Sequence, residues 1–279
     1  MSTRLRDVLM GELDVLRHEP TEKRIRGSIA GRAVVDSSRA MLVWEPRRVV
    51  PTYAVPEEDL DAELVAAGTE PGGAPAPAGV PPMGAPRLGT QLVLDPSIPF
   101  AVHTAPGTAL VARDRASGRE AGAFRPADRE LDGYVLLDFD AFDAWLEEDE
   151  PNVGHPRDPF HRIDIVRSSR HVCIEHDGTL LAESSAACLL FEPPLPVRCY
   201  LPPGDVRPGV LRPSETRSTC AYKGHAAYWS AGDLQDVAWS YAAPLREAAE
   251  IAGRVAFLNE RVDVLLDGER QERPVTPWS

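Results

Sequence analysis

A chain of 279 residues with a formal net charge of −13 and a pI near 5.0 has no general electrostatic grip on nucleic acid or on an anionic membrane. Its composition, 43% hydrophobic and 26% charged, is that of a soluble globular protein with room for two domains. No apolar run approaches the roughly 20 residues of a membrane-spanning helix. The N-terminal twenty residues carry acidic side chains inside their apolar pattern and lack a signal-peptide block, so a cytoplasmic location is expected.

Leu5, Val8, Leu9, Leu13 and Leu16 recur at three- and four-residue intervals, which predicts an amphipathic helix over residues 3–18, weakened at Gly11 and stopped by Pro20. Residues 1–20 are therefore set apart as a docked N-terminal element. The segment that follows repeats. Residues 24–56 lie over residues 171–203 at an offset of 147, which matches Gly31 with Gly178, Ser37-Ser38 with Ser184-Ser185, and Glu45-Pro46 with Glu192-Pro193. At the same offset Trp44 meets Phe191, Tyr53 meets Tyr200 and Pro56 meets Pro203. Further on the offset falls to 117, matching Gly107 with Gly224 and Phe124 with Tyr241. Such self-similarity predicts two tandem homologous domains, 21–150 and 151–279. The change of offset places an insertion in the first, at residues 66–89, a Pro-, Gly- and Ala-rich stretch with too little apolar bulk to offset its ordering entropy. A mobile or loosely packed loop is expected there.

Within each copy the elements read as short and mainly β. Residues 171–184 alternate around Asp177-Gly178, a hairpin signal. Residues 187–191 and 198–201 read as buried strands ended by proline pairs, and residues 218–230 and 236–241 as two further strands. Pro244 opens a short helix that Gly253 ends. Residues 255–257 and 262–266 are expected to form a hairpin over Asn259-Glu260, and the proline-rich 148–160 segment to connect the domains.

The stretches HPRDPFHRIDIVRSSRHVCIEHDGTLLAES, LLFEPPLPVRCYLPPGDV, STCAYKGHAAYWS, VAWSY and IAGRVAFLNERVDVLLDGE, all in the second half, resemble a bacterial family catalogued as domain of unknown function 427. The first half resembles it less closely. The resemblance implies a compact, β-tent-like domain similar in topology to methionine sulfoxide reductase B and Yippee-type domains, without their metal-binding cysteine pairs. The chain departs from the family's usual Cys-Pro at Cys220-Ala221 and from its Glu-Thr-Gly at Glu192-Pro193-Pro194. The family also carries a nucleotidyltransferase label. That reading needs a Gly-Ser turn with a nearby carboxylate pair for two metal ions; Gly27-Ser28 has none close by, and Asp138 and Asp140 lie far along the chain.

Candidate site residues concentrate in STCAYKGHAAYWSAGDLQDVAWSY, residues 218–241, where Tyr222, Tyr228, Trp229, Trp239 and Tyr241 surround Cys220, Lys223, Gly224 and His225. Aromatic walls with a few polar handles suit a small ligand. Lys223 is a candidate anion holder, or a base or Schiff-base amine if desolvation lowers its pKa. Gly224 lets a ligand approach the backbone, and Cys220 is a candidate nucleophile with His225 or His176 as its base. In an extended strand Cys220 and Lys223 point to opposite faces. Arg162 and Arg198 are candidate clamps for an anion, with salt bridging as the bland alternative. The first copy offers His103, Pro106, Val111, Ala112 and Gly122 opposite Cys220, Lys223, Tyr228, Trp229 and Trp239, whereas Glu45/Glu192 and Tyr53/Tyr200 persist and read as structural. No metal spacing is present among the four cysteines, which read as reduced thiols, and no cofactor is expected.

The leading functional expectation is a cytosolic small-molecule-binding protein, or an enzyme of unknown reaction, that takes a planar anionic ligand in an aromatic pocket of the second domain. The alternative is a non-catalytic interaction or scaffold module, with the tryptophans as an exposed patch. Nucleic-acid and membrane partners are not expected. Self-association is left open.

Overall fold

The computed structural model describes residues 2–3, 8, 11–68, 85–88 and 90–276. Contacts among them divide the chain into two compact units: unit 1, Met1–Pro86 with Gln91–Asp158, and unit 2, Arg87–Thr90 with Pro159–Ser279. Both are mainly β, built of antiparallel strand pairs with short 3-10 segments beside them.

Unit 1 runs β1 (Arg17–Pro20), β2 (Ile25–Ile29), β3 (Arg32–Ser37), β4 (Met41–Trp44), β5 (Thr52–Pro56) and β6 (Glu63–Ala66). The two-residue strands β7 (Arg87–Leu88), whose residues belong to unit 2, and β8 (Gln91–Leu92) follow, then β9 (Gly107–Arg113), β10 (Glu120–Pro126), β11 (Tyr134–Leu137), β12 (Ala144–Glu147) and β13 (Glu150–Asn152). Seven of these form one sheet in the order β1-β4-β5-β11-β10-β9-β6, and four form another in the order β13-β12-β2-β3. Ile25, Ile29, Val34 and Val35 of the small sheet pack against Leu42, Val55, Ala112, Val135 and Leu137 of the large one, so period-two alternation buries one face of each.

Unit 2 runs β14 (Asp164–Arg167), β15 (Val172–His176), β16 (Thr179–Ser184), β17 (Cys188–Phe191), β18 (Arg198–Tyr200), β19 (Leu211–Cys220), β20 (Gly224–Ala231), β21 (Leu234–Ser240), β22 (Val255–Phe257), β23 (Asp263–Leu266) and β24 (Glu269–Arg270). Its sheets follow the same plan: β16-β15-β23-β24 on one side, and β14-β17-β18 with β19-β20-β21-β22 on the other, linked by the bridge Leu201↔Val255. Val172, Ile174 and Val264 meet Leu189, Leu201, Val237 and Phe257 between them. The inner hairpins agree to the residue. Ala30 and Gly31 (φ 52° and 74°) match Asp177 and Gly178 (47° and 73°), and each hairpin bulges at the matched place, Gly27/Ser28 and Ile174/Glu175. Positive φ at both turn positions is what a tight two-residue hairpin requires.

Several expectations are corrected. Residues 12–15 are turn and bend, and Arg17–Pro20 is a strand paired with β4, not the end of a helix; a row of backbone hydrogen bonds to an edge outweighs a weak periodic signal. Leu5 and Leu9, also assigned to that helix, lie outside the described residues. So does most of the 66–89 insertion, although β6 reaches Ala66, Ala85 is buried and β7 begins at Arg87. Residues 255–257 and 262–266 form no hairpin: β22 pairs with β21, and β23 with β15. The 218–230 run is two strands, because Ala221–Lys223 turn the chain between β19 and β20.

The Tyr53/Tyr200 match also fails in space. Leu42 stands opposite Tyr53, but its counterpart Leu189 stands opposite Cys199. The loop after the Glu-Pro is one residue shorter in unit 2, so Pro56 corresponds to Pro202; each precedes a 3-10 turn with nearly the same dihedrals. A one-residue slip sends every later side chain to the other face. Tyr53 therefore lies between the sheets, and Tyr200 lies outside the large one.

On that outer face Trp239, opposite Ala256, takes the lane that Phe124, opposite Leu136, takes in unit 1, and not the place of Gly122 that the offset of 117 gives it. A Cβ at Gly122 would fall 1.9 Å from Oδ2 of Asp138, whose backbone N–H donates to Gly122 O at 3.0 Å. Gly122→Ala is expected to lower the stability of unit 1 by about 1–3 kcal/mol through overpacking, read as an earlier urea transition.

Candidate functional site

The outer face of the large sheet in unit 2 is a second apolar layer. Cys188, Leu190, Tyr200, Ala226, Trp239 and Tyr241 form it, and Ala248 and Ile251 of the 3-10 segment Arg246–Ile251 cover it. At one margin the three-residue turn Ala221–Lys223 joins β19 to β20, with Cys220 paired to Gly224. Gly224 takes φ 90°, which favours glycine, and the space beside it holds Leu245 and Ala243. The glycine thus serves the turn; backbone and leucine fill the approach that a ligand would use.

The turn sends Lys223 inward. It is 7% exposed and ion-pairs with Glu192, the residue after β17. Burial works against the Lys223 charge, but the Glu192 carboxylate, with Cys220 and Tyr200 close by, outweighs it and raises the ammonium above its ordinary pKa. Burial likewise works against Glu192, yet the Lys223 charge and the His161 contact hold its carboxyl well below the usual range. The second Glu192 oxygen faces His161 Nε2 at 3.4 Å. Lys223 is therefore a fixed cation, not the low-pKa amine that a base or Schiff-base role needs. Cys220 and Lys223, which an unbroken strand would separate, meet in one electrostatic cluster with Tyr200 and Tyr241 because the chain turns between them.

Tyr228 stands directly across from Trp239, their ring centroids 6.5 Å apart, and its hydroxyl shares a 2.8 Å hydrogen bond with Ser218. Cys220 and Tyr228 are half-buried, so they form the accessible rim of the face. Trp239 is 8% exposed; its Nε1–H donates to Tyr200 Oη at 3.0 Å. Burial pushes the phenols of Tyr200 and Tyr241 above their ordinary pKa, which keeps both neutral.

The other candidates lie elsewhere. Trp229 is adjacent to Tyr228 in the strand, so it points to the opposite face and packs on the inter-sheet core. Tyr222 is buried beside His161, with ring centroids 5.6 Å apart, and Arg162 lies 5.3 Å over its ring while pairing with Glu247. Arg198 does not clamp an incoming anion: it is 7% exposed, holds Glu260 through two bonds of 2.7 Å and lies 5.5 Å over Trp239. His225 is exposed and bonded to Thr219, and His176 lies at the end of β15 near Asp177 and Asp233. Neither is placed as a base for Cys220.

The matched place in unit 1 holds a different cation. Glu45 accepts the N–H groups of Thr104 and Ala105 at 2.9 and 3.0 Å and meets His103 Nδ1 at 2.9 Å, while His103 Nε2 faces Asp138 at 3.3 Å. The imidazole stacks on Phe124, centroids 4.1 Å apart. Burial opposes its charge, but Asp138 and Glu45 prevail and raise the His103 pKa to about 9. Asp138 of the DFD run is thus committed to a histidine. Sequence reading took Glu45 and Glu192 as structural and gave Asp138 no role, but it could not name their partners, which are distant in the chain; the one usable signal was the recurrence of Glu-Pro in both halves.

Lys223→Met strands the Glu192 carboxylate in a buried position, so the fold is not left intact: a loss of about 3–5 kcal/mol is expected. Replacing both members, Lys223→Met with Glu192→Leu, is expected to recover most of that loss, and chemical denaturation of both variants reads the difference. In unit 1 the raised pKa of His103 contributes stability that is full below the unfolded value near ~6.5. It is lost as pH rises toward about 9. Unfolding measured between these limits should show a decline in unit 1 that His103→Gln abolishes.

Residues 164–268, about the whole of unit 2, match a family described as "Domain of unknown function (DUF427)". No curated protein matches the chain.

Proposed function

We propose that unit 2 is a cytosolic small-molecule-binding module, that its ligand packs on the outer face at the Cys220–Tyr228 rim, and that unit 1 is a degenerate tandem copy without a site of its own. The observation that carries the reading is where the two units differ. At positions that the offset of 117 matches in sequence, Cys220, Lys223, Tyr228, Trp239 and Tyr241 stand against His103, Pro106, Val111, Gly122 and Phe124, and in the ladders Trp239 takes the lane of Phe124. All five belong to one neighbourhood on the outer face, while strand order, the hairpin bulge and the carboxylate after β4 and β17 stay the same. Residues that serve the fold recur; residues that serve a ligand need not.

The chemistry of the rim suits a planar ligand bearing a carboxylate or carbonyl. Tyr228 supplies an aromatic surface, Ser218 and the Tyr228 hydroxyl supply hydrogen bonds, and the buried Lys223–Glu192 pair holds the turn beneath them. The role proposed for Lys223 is to hold the rim in place through Glu192, not to act as a reactive amine. An exposed tryptophan patch for a protein partner is less favoured, since Trp239 is nearly buried and Trp229 belongs to the core.

Fluorescence titration of the full chain with benzoate, with benzamide as its neutral counterpart, tests the reading. Saturable quenching by benzoate that weakens about tenfold in Tyr228→Ala is expected from loss of one stacking partner. His103→Gln should leave it unchanged. No saturable change, or equal affinity in Tyr228→Ala, removes the rim as a ligand site.

A further inference from the structure

A separate groove of about 560 Å³ opens in unit 2 where the end of β14, the turn between β16 and β17, and the end of the 3-10 segment come together. Arg167, Ser168, Ser169, Ser185, Glu250 and Arg254 line it, with Cys188 at its floor. In a chain of net charge −13 this lining sets two guanidiniums and three hydroxyls against one carboxylate. Arg167 is exposed, and its guanidinium has no hydrogen bond or ion pair among the described residues, while its backbone lies in the ladder with Cys188. Ser168 Oγ accepts the N–H of Arg170 at 3.2 Å, so its own hydrogen remains to be donated.

The matched place in unit 1 separates what the fold needs from what it does not. Arg254 donates to Ala186 O at 2.8 Å, and in unit 1 Tyr134 donates to the corresponding carbonyl, that of Arg39, at 3.3 Å. The fold therefore requires a donor at that point, but not a guanidinium. Pro20 and Glu22 stand where unit 2 has Arg167 and Ser169, so neither the second guanidinium nor that hydroxyl is needed to build the strand pair. A polar groove that is basic in one unit only, with an arginine left without a partner, is arranged for something that arrives from solution.

We infer that the groove bounded by Arg167, Ser169, Ser185 and Arg254 binds a small tetrahedral oxyanion, a phosphate or the phosphate group of a small phosphomonoester. Guanidinium forks and hydroxyls donating into a concave wall match the several acceptor oxygens of such a group, which a planar carboxylate would use less fully. Glu250 at the margin limits the affinity and disfavours ligands with further negative charge beside the phosphate. This site is distinct from the rim around Cys220 and does not depend on it.

Calorimetric titration of the full chain with inorganic phosphate and with glycerol phosphate, and with acetate for comparison, tests the inference. Saturable binding of at least one phosphate probe is expected, stronger than that of acetate, weakened about tenfold or more in Arg167→Gln and strengthened in Glu250→Gln. The tighter of the two phosphate probes identifies whether the free anion or its ester is the ligand. Arg254→Gln also removes the bond to Ala186, so a failure of that variant to fold leaves Arg167→Gln as the deciding measurement. Absence of saturable phosphate binding, or equal affinity in Arg167→Gln, overturns the site.

Discussion

A buried carboxylate immediately after the fourth strand of each unit pins the outer side of that unit. In unit 2 Glu192 is joined to Lys223, and in unit 1 Glu45 is joined to His103 and to two backbone N–H groups. Taking such a carboxylate out of water is costly, and only a partner placed within hydrogen-bond reach compensates it. The partner in each case lies on the segment that enters the next long strand, β20 or β9. The pair therefore fixes where that strand begins, and with it the face on which every subsequent side chain lies. In unit 2 this one contact also decides that Cys220, Tyr228 and Trp239 share a surface.

The two faces of the large sheet do different work. The inner face is closed against the small sheet largely by aliphatic side chains in both units, with Tyr53 and Trp145 added in unit 1. The outer face is where the units part. Unit 1 fills it with Phe124, a stacked histidine and a glycine that makes room for Asp138. Unit 2 fills it with phenols, an indole and a lysine, a set richer in polar atoms than packing alone calls for. The pairing of Trp239 with Tyr200, and of Tyr228 with Ser218, satisfies those atoms and holds the rings in place.

Charge is distributed by the same logic. Arg198 is spent on Glu260, which also accepts from Thr276 and so ties the chain beyond β24 to the body of unit 2. Arg162 is spent on Glu247. Arg167 is not committed in this way, and it is set beside Arg254 and three serines, in contrast with Arg198 and Arg162.

Much of the fold was legible in the residues themselves. Asp177-Gly178 announces its hairpin because only a few residue types take positive φ without strain, and the short alternating runs ended by proline pairs announce a mainly β chain. The offset of 147 between the halves follows the observed strands β1 to β4 and β14 to β17 residue for residue. These are local properties: a dihedral preference, a period, a spacing. What only the tertiary structure decided is non-local. Tyr53 and Tyr200 align in sequence yet face opposite ways, because a single missing loop residue reverses the alternation of all that follows. Trp229 and Trp239 read as one aromatic cluster, but β20 and β21 assign them to opposite sides of a sheet. Lys223 read as an anion holder or a low-pKa amine, and its partner Glu192 lies 31 positions earlier, where no short-range pattern links the two. A charged side chain's pKa and availability are set by whatever lies next to it after folding, and pairings across strands are chosen by loops and burial over the whole unit.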